Sequence, residues 1–268
     1  MKKDLQKSQK LPPSPKRGSH ESKTAFYVFL VLHVVTLMIL VRGAMLGRSE
    51  TVFTACLALL LLLVPSILER SLRIELPSAM EILAYLFVFA SAILGEIGNF
   101  YQQFPLWDSL LHGANGFLFA AFGFCLFDLF DRKRHNSFSL SPAFLSLVAF
   151  SFSMTIGVFW EFFEFAADRL LFTDMQKDTL QHSIHSVTLP GLPGEKVAHV
   201  SDITSTVIHT ASGESITVAG YLDIGLVDTM KDLLINLVGA LIFTLIGYSH
   251  FKHRQKRSIA AGLIPKVK

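Results

Sequence analysis

Six long apolar runs divide this chain, and they constrain its fold more than any other feature of the sequence. Their approximate positions are residues 25–43, 52–68, 79–99, 107–130, 143–171 and 228–250. A helix of about 20 residues crosses the hydrocarbon core of a bilayer, which is about 30 Å thick. Backbone groups in lipid must be hydrogen-bonded internally, so runs of this length are expected to be helical. The sequence therefore predicts an all-α polytopic membrane protein with about six transmembrane helices in a bundle.

The overall composition agrees with a membrane protein. Apolar residues make up 51% of the chain and charged residues only 17%, and the mean hydropathy is +0.48. Both cysteines, Cys56 and Cys125, lie inside apolar runs. This placement gives little support for a disulfide, and two such cysteines cannot form a cysteine-based zinc motif.

The basic residues are concentrated on one side of the predicted membrane. Most of the 24 lysines and arginines lie in residues 1–24, 69–78, 132–134 and after residue 251. The positive-inside rule therefore places both termini in the cytoplasm. We expect a disordered basic cytoplasmic arm at 1–24, a transmembrane domain at 25–251 and a basic cytoplasmic tail at 252–268. Because these charges report topology, the net charge of +3 does not predict a nucleic-acid partner.

The one long connection, residues 172–227, is expected on the extracytoplasmic side. Within it, residues 196–210 and 214–221 are rich in Val, Ile and Thr and flank the short segment 211–213. This pattern predicts a small β-hairpin inserted between the last two transmembrane helices. His182 and His185 lie three residues apart in the same loop. Isolated loop histidines are usually solvated, so we expect no ligand role for them.

Ionisable residues occur inside the apolar runs, although each is unfavourable by about 2.5 to 3.5 kcal/mol at a helix centre. They recur three, four or seven residues apart, and residues at these intervals share one face of a helix. Three such stripes face the same side of the membrane: Asp108, His112 and Gly116; Glu161, Glu164 and Asp168; and Asp228, Asp232, Asn236 and Gly239. If the stripes converge, they form one acidic pocket open to the extracytoplasmic side.

Carboxylates that lie close together repel one another unless some are protonated or a cation lies among them. Oxygen ligands with one imidazole and no thiolate favour a divalent ion such as Mg²⁺, Mn²⁺, Fe²⁺ or Zn²⁺. The candidate metal ligands are Asp108, His112, Glu161, Glu164, Asp168, Asp228 and Asp232. Glu161 and Glu164 are also candidate catalytic bases. Further candidate pocket residues are Glu96, Asn236 and Gln176.

Helix capping is an alternative explanation for some of these acids. Asp108 and Asp228 lie at predicted helix N-termini, where a carboxylate is favourable without any ligand. The alternative does not apply to Glu161, which lies about 10 Å of helix further into the membrane than Asp168.

The motifs that carry these residues resemble a known family. They are W-D-x-x-x-H-x-x-x-G at 107–116, W-E-x-x-E-x-x-x-D at 160–168, D-M-Q at 174–176 and D-T-x-x-D-x-x-x-N-x-x-G at 228–239. In this order they resemble the YjdF-like bacterial inner-membrane proteins of unknown function, over about residues 80–245. They are more distantly similar to VanZ-like proteins, which are associated with glycopeptide resistance. The resemblance implies a multi-pass protein of the bacterial cytoplasmic membrane, and the fifty residues between Gln176 and Asp228 depart from the compact family pattern.

Three classes of function are compatible with an acidic site at the extracytoplasmic surface. The first is a metal-dependent enzyme that acts on a lipid or a lipid-linked envelope substrate. The second is a noncatalytic accessory protein that binds lipid headgroups, or an envelope partner through the external loop. The third is a cation-coupled or proton-coupled transporter, although the charged residues lie at one side only, whereas transporters commonly bind near the midplane.

Overall fold

The computed structural model describes residues 19–72, 74–133, 141–189, 196–253 and 266–267. Within these residues, six helical segments are long and apolar enough to cross a membrane: Lys23–Met45, Ser49–Ser71, Ser78–Ile97, Trp107–Phe127, Pro142–Leu170 and Leu226–Lys252. The six predicted transmembrane segments are therefore confirmed. The large exposed apolar side chains along these helices fit a lipid environment.

The chain divides into two compact units, residues 1–98 with 265–268, and residues 99–264. The helices of the first unit are α1 (Ser19–Met45), α2 (Ser49–Leu62), α3 (Val64–Leu72) and α4 (Ser78–Val88), which continues into a π-helix (Phe89–Ile97). A short strand β1 (Ile74–Glu75) pairs antiparallel with β8 (Lys266–Val267). Leu32, Leu62 and Tyr85 form one buried cluster of this unit.

The second transmembrane segment is interrupted at Leu63, between α2 and α3. Pro65 lies in the first turn of α3, where the missing N–H of proline is tolerated because no helical partner is required there. Residues 1–18 of the predicted arm at 1–24 lie outside the described residues. The last six residues of the arm form the start of α1.

The second unit is built on three long helices that pack against one another in every pair: α6 (Trp107–Lys133), α7 (Pro142–Leu171) and α8 (Leu226–His253). A short helix α5 (Phe100–Gln103) precedes them. Small residues allow the close approach of α6 and α8. A Cβ atom on Gly116 would collide with the backbone oxygen of Asn236, and one on Gly239 would collide with the backbone oxygen of Gly113.

The α7–α8 insertion (residues 172–225) contains three short antiparallel ribbons. Its strands are β2 (Thr179–Gln181), β3 (Ile184–Ser186), β4 (Ala198–Val200), β5 (Thr206–His209), β6 (Ser215–Val218) and β7 (Tyr221–Asp223). Strand β2 pairs with β7, β3 with β4, and β5 with β6. The insertion is thus closed by its first and last strands.

The predicted hairpin is confirmed in its turn and in the strands beside it, but not in its full extent. Strands β5 and β6 pair with Thr206 opposite Val218 and His209 opposite Ser215. The predicted first strand, 196–210, is instead two strands, because β4 pairs with β3 and the chain turns at Asp202, whose φ is 55°. The predicted second strand, 214–221, is shorter in the structure, because β6 ends at Val218, the chain turns at Gly220, whose φ is 132°, and β7 then pairs with β2.

Candidate metal site

His112 lies at the centre of a group of carboxylates contributed by α6, α7 and α8. Its Nε2 is 3.5 Å from an oxygen of Asp108 and 3.8 Å from an oxygen of Asp232. Its Nδ1, on the other edge of the ring, is 3.6 Å from an oxygen of Glu161. The imidazole therefore faces a carboxylate from each of the three helices.

Two groups of potential metal ligands share this histidine. One consists of Asp108, His112 and Asp232, and the other of His112, Glu161 and Glu164. Within each group the ligand atoms all lie within 4.8 Å of one another. We call the five residues together the His112 cluster. All five were predicted as metal ligands from the helical spacing, and the structure brings them together.

The His112 cluster is buried, but it is connected to the surface at one edge. Glu161, Glu164 and Asp232 are 3%, 6% and 1% exposed. The side chain of Asp108, in the first turn of α6, is 23% exposed. The cluster therefore lies at the end of the helices that carries the α7–α8 insertion, and Asp108 is its most exposed member.

Several buried oxygen atoms of the cluster have no hydrogen-bond donor among the described residues. They are both carboxylate oxygens of Glu161 and Oδ1 of Asp232, although the hydroxyl group of Thr229 interacts with Glu161 outside normal hydrogen-bond geometry. Glu164 differs, because its Oε1 accepts a hydrogen bond of 2.8 Å from the indole Nε1 of Trp160. An ionised carboxylate that is buried without a donor is strongly unfavourable, so the arrangement requires protons or a cation.

A lysine that the sequence prediction did not assign to the site supplies one positive charge. The Nζ of Lys231 is 3.0 Å from Asp228 and 3.6 Å from Asp232. Its side chain is 43% exposed, so the ammonium group lies at the edge of the cluster. One lysine and one histidine face five carboxylates if Asp228 is included, and the negative charge remains in excess.

Two predicted ligands, Asp168 and Asp228, lie outside both ligand groups and hold the start of the insertion. Asp168 accepts hydrogen bonds from the backbone N–H groups of Met175 and Gln176, at 2.7 and 2.9 Å. Asp228 accepts one from the backbone N–H of Lys177, at 2.8 Å. Both carboxylates thus bind backbone amides of residues 175–177.

The three predicted pocket residues have separate locations. The side chain of Gln176 donates a hydrogen bond to the hydroxyl group of Thr229, so it joins the insertion to α8. Asn236 is fully buried one turn beyond Asp232, where its oxygen accepts a 3.0 Å hydrogen bond from Asn115. Glu96 belongs to the π-helix of the first unit, where its side chain is exposed.

Sequence reasoning missed Asn115, Lys231 and Trp160 as parts of this region. Asn115 lies three residues after His112 and could have been found by its spacing on α6. The contact of Trp160 with Glu164 follows from the structure alone.

The fold and the cluster together define a class of protein: a helical, multi-pass membrane protein with a buried group of histidine and carboxylate side chains that could hold a metal ion. The chain belongs to the family described as "Predicted membrane protein (DUF2238)", whose model matches residues 26–253. The resemblance to YjdF-like and VanZ-like proteins stays a prediction.

A protein of Thermotoga maritima described as "Uncharacterized protein" is 27% identical over 107 residues. The match covers 40% of this chain and 53% of the relative, so the chain spans about half the length of the relative it matches. No solved structure matches the chain.

Proposed function

We propose that this protein binds a divalent metal ion in the His112 cluster and uses it at the membrane surface that carries the α7–α8 insertion. The observation that carries the proposal is the pair of unsatisfied carboxylate oxygens on Glu161, a side chain that is 3% exposed and faces His112. A divalent cation would neutralise the negative charge of Glu161 and of the acids around it, so these side chains could stay buried in the folded protein.

The donor set suits a hard or borderline divalent ion. Metal–oxygen and metal–nitrogen bonds of about 2.0 to 2.2 Å keep neighbouring ligand atoms roughly 3 to 4 Å apart. The 3.6 Å contact between Nδ1 of His112 and the carboxylate of Glu161 is close to this spacing. Oxygen ligands with a single imidazole are compatible with Mn²⁺, Fe²⁺, Zn²⁺ and, less favourably, Mg²⁺.

The reaction that this arrangement supports best is the metal-dependent hydrolysis of an amphiphilic phosphate ester. A divalent ion can polarise a phosphoryl oxygen and lower the pKa of a bound water. We assign Glu161 as a ligand and Glu164 as the base, because the hydrogen bond from Trp160 holds one oxygen of Glu164 and leaves the other for a water proton. The water oxygen would attack phosphorus as the bond from phosphorus to the lipid alcohol oxygen breaks, and the proton accepted by Glu164 would pass to that leaving oxygen.

The location of the cluster suits a substrate that enters from the bilayer. Its ligands lie near the ends of three apolar helices, beside large exposed apolar side chains such as Phe162 and Leu226. From the positive-inside distribution of charge we expect this end on the extracytoplasmic side. A lipid or lipid-linked envelope phosphate could reach the site there without leaving the membrane.

A transport function has less support than a metalloenzyme. Among the described side chains of α6, α7 and α8, every buried ionisable group belongs to the His112 cluster or is Asp228. Further along the helices the fully buried side chains include Phe124 and Phe243, which pack edge to face. A charged path through the unit is therefore not supported.

Metal binding can be tested on the full chain purified in detergent. After equilibration with Mn²⁺ and removal of free metal, the bound metal is measured by mass spectrometry. We expect about one equivalent in the wild type, a loss of most of it in Glu161→Gln, a smaller loss in Asp232→Asn, whose carboxylate faces the other nitrogen of His112, and no change in Asp174→Asn, whose side chain is 67% exposed. A wild type without bound metal, or Glu161→Gln with an undiminished content, would refute the proposed site.

Catalysis is tested separately on vesicles that contain phospholipids and polyprenyl phosphates, with products identified by mass spectrometry. The hydrolase proposal predicts release of inorganic phosphate that Glu164→Gln abolishes while some metal remains bound. A metal-loaded protein that leaves all of these lipids unchanged would instead be the noncatalytic binding protein, and the metal site would stand without the reaction.

A further inference from the structure

A pair of histidines lies across the β3–β4 ribbon of the α7–α8 insertion, apart from the His112 cluster. His185 in β3 is the direct partner of His199 in β4, between the pairs Ile184 with Val200 and Ser186 with Ala198. Directly opposed residues of an antiparallel pair point to the same face of the ribbon, with Cβ atoms about 4.5 to 5.5 Å apart. The backbone register alone therefore brings the two imidazoles together.

The two rings are in direct contact through nitrogen atoms. The Nε2 of His185 is 2.5 Å from the Nδ1 of His199, and the ring centroids are 4.2 Å apart with an angle of 44° between the planes. Both side chains are exposed to solvent. Two imidazole nitrogens in such contact share a proton, as donor and acceptor, or bind one cation between them after a small rotation of the rings.

A neighbouring histidine, His182, is not part of the pair and has a different partner. The Nδ1 of His182 donates a hydrogen bond of 2.8 Å to the backbone oxygen of Ile203, and the backbone N–H of Ile203 donates one to the backbone oxygen of His182. These bonds hold the end of the ribbon. His182 and His185, although three residues apart in sequence, therefore do not pair with each other, because the partner of His185 comes from the opposite strand.

We propose that His185 and His199 form a binding site for a late first-row transition ion, with Zn²⁺ or Cu²⁺ as the class of ligand. Neutral imidazole nitrogens suit these ions and are poor ligands for Mg²⁺ or Ca²⁺. The ribbon supplies two ligands in a fixed register, and its exposed face leaves the remaining coordination positions to water or to an external ligand. The site differs in chemistry from the oxygen-rich His112 cluster and does not depend on the proposed function.

The site can be tested residue by residue with diethyl pyrocarbonate, which modifies accessible neutral histidines. The full chain in detergent is modified with and without Zn²⁺, and each histidine is quantified by peptide mass spectrometry. We expect Zn²⁺ to protect His185 and His199 and to leave His209 unprotected. His209 is a matched control, because it is an exposed strand residue of the same insertion whose Nδ1 contacts the hydroxyl group of Ser215.

Substitution supplies the second measurement. His185→Ala and His199→Ala should each lose the Zn²⁺ protection of the remaining partner, whereas His209→Ala should keep the protection of both. Protection at His112 alone would report the acidic cluster and would overturn the ribbon site. Unchanged modification of His185 and His199 in the wild type would also overturn it, and this result does not depend on whether the variants fold.

Discussion

Glu161→Gln should stabilise the metal-free protein and at the same time abolish its stabilisation by metal. Both effects have the same physical origin. Without a cation, Glu161 adds a negative charge to a buried group that already contains Glu164, and its carboxylate accepts no hydrogen bond of normal geometry from the described residues. With a cation, the same charge becomes a ligand. Glutamine keeps the size of the side chain and removes the charge.

The magnitude follows from the geometry of the ligand group. Ligand oxygens of Glu161 and Glu164 lie within 4.8 Å of each other. At an effective dielectric constant of about 20, two unit charges at this distance repel by roughly 3.5 kcal/mol, which is an upper limit because protonation of a carboxylate or attraction to a charged His112, 3.6 Å from Glu161, offsets part of it. A metal ion at about one hundred times its dissociation constant stabilises the folded state by about 2.7 kcal/mol. For a chain of this size that corresponds to about 5 to 10 °C in Tm.

The assay is thermal unfolding in detergent, with a chelator and with saturating Mn²⁺ or Zn²⁺. The variant should melt above the wild type in chelator and below it in metal, so the order of the two proteins reverses. Asp174→Asn should follow the wild type under both conditions because its carboxylate is exposed. If Glu161→Gln lowers Tm equally with and without metal, Glu161 has a structural role only and the reasoning is wrong.

Three further substitutions test the scaffold around the cluster. Asp168→Asn keeps an acceptor but removes the charge that binds two backbone amides, and it should raise hydrogen exchange at residues 173–177 with a loss of about 1 to 2 kcal/mol. Gly116→Ala should separate α6 from α8 and lower stability by about 1 to 3 kcal/mol, with reduced metal content as the second readout. Asn115→Ala removes a buried donor to Asn236 and should destabilise the protein by about 1 to 3 kcal/mol in thermal unfolding without a change in metal content.

The transmembrane architecture could be predicted from the sequence because it depends on local composition. A run of about 20 apolar residues has only one way to satisfy its backbone in lipid, whatever its neighbours are. Strand pairing in the insertion is not local in this sense. Residues 198–200 had the composition of a strand, but their partner is β3, and nothing in the sequence of β4 itself selects β3 over β6.

The membership of the His112 cluster could be predicted from the sequence, but the separate role of Asp168 could not. Helical spacing identified the face on which each acid lies, and close helix packing then brought Asp108, Glu161 and Asp232 to the same histidine. Asp168 has the same spacing as its neighbours, yet it lies in the last turn of α7 and bonds the amides of the chain that follows. Spacing does not distinguish a ligand from such a terminal acceptor, because both lie on one face of the helix.

Lys231 connects these two sets of carboxylates, and its role gives a prediction of unexpected sign. Its ammonium group lies between Asp228, which holds residue 177 of the insertion, and Asp232, which belongs to the cluster. In the metal-free protein the lysine is therefore an internal counter-ion. A bound metal ion would be repelled by this ammonium group, so Lys231→Met should bind metal more tightly than the wild type and should be less stable in chelator.

The expected size is modest because Lys231 is partly exposed. The ammonium group of Lys231 is 3.6 Å from Asp232, and its side chain is 43% exposed. Water therefore screens the ion pair, and we expect it to contribute about 1 kcal/mol to the balance between lysine and metal ion. This corresponds to about a fivefold decrease in the metal Kd, measured by titration of the apo protein. Lys177→Met is the matched control, because its side chain is also 43% exposed and pairs with Asp174 outside the cluster. Weaker metal binding in Lys231→Met would mean that the lysine supports the ligands rather than repelling the ion, and the proposed charge balance of the site would have to be rejected.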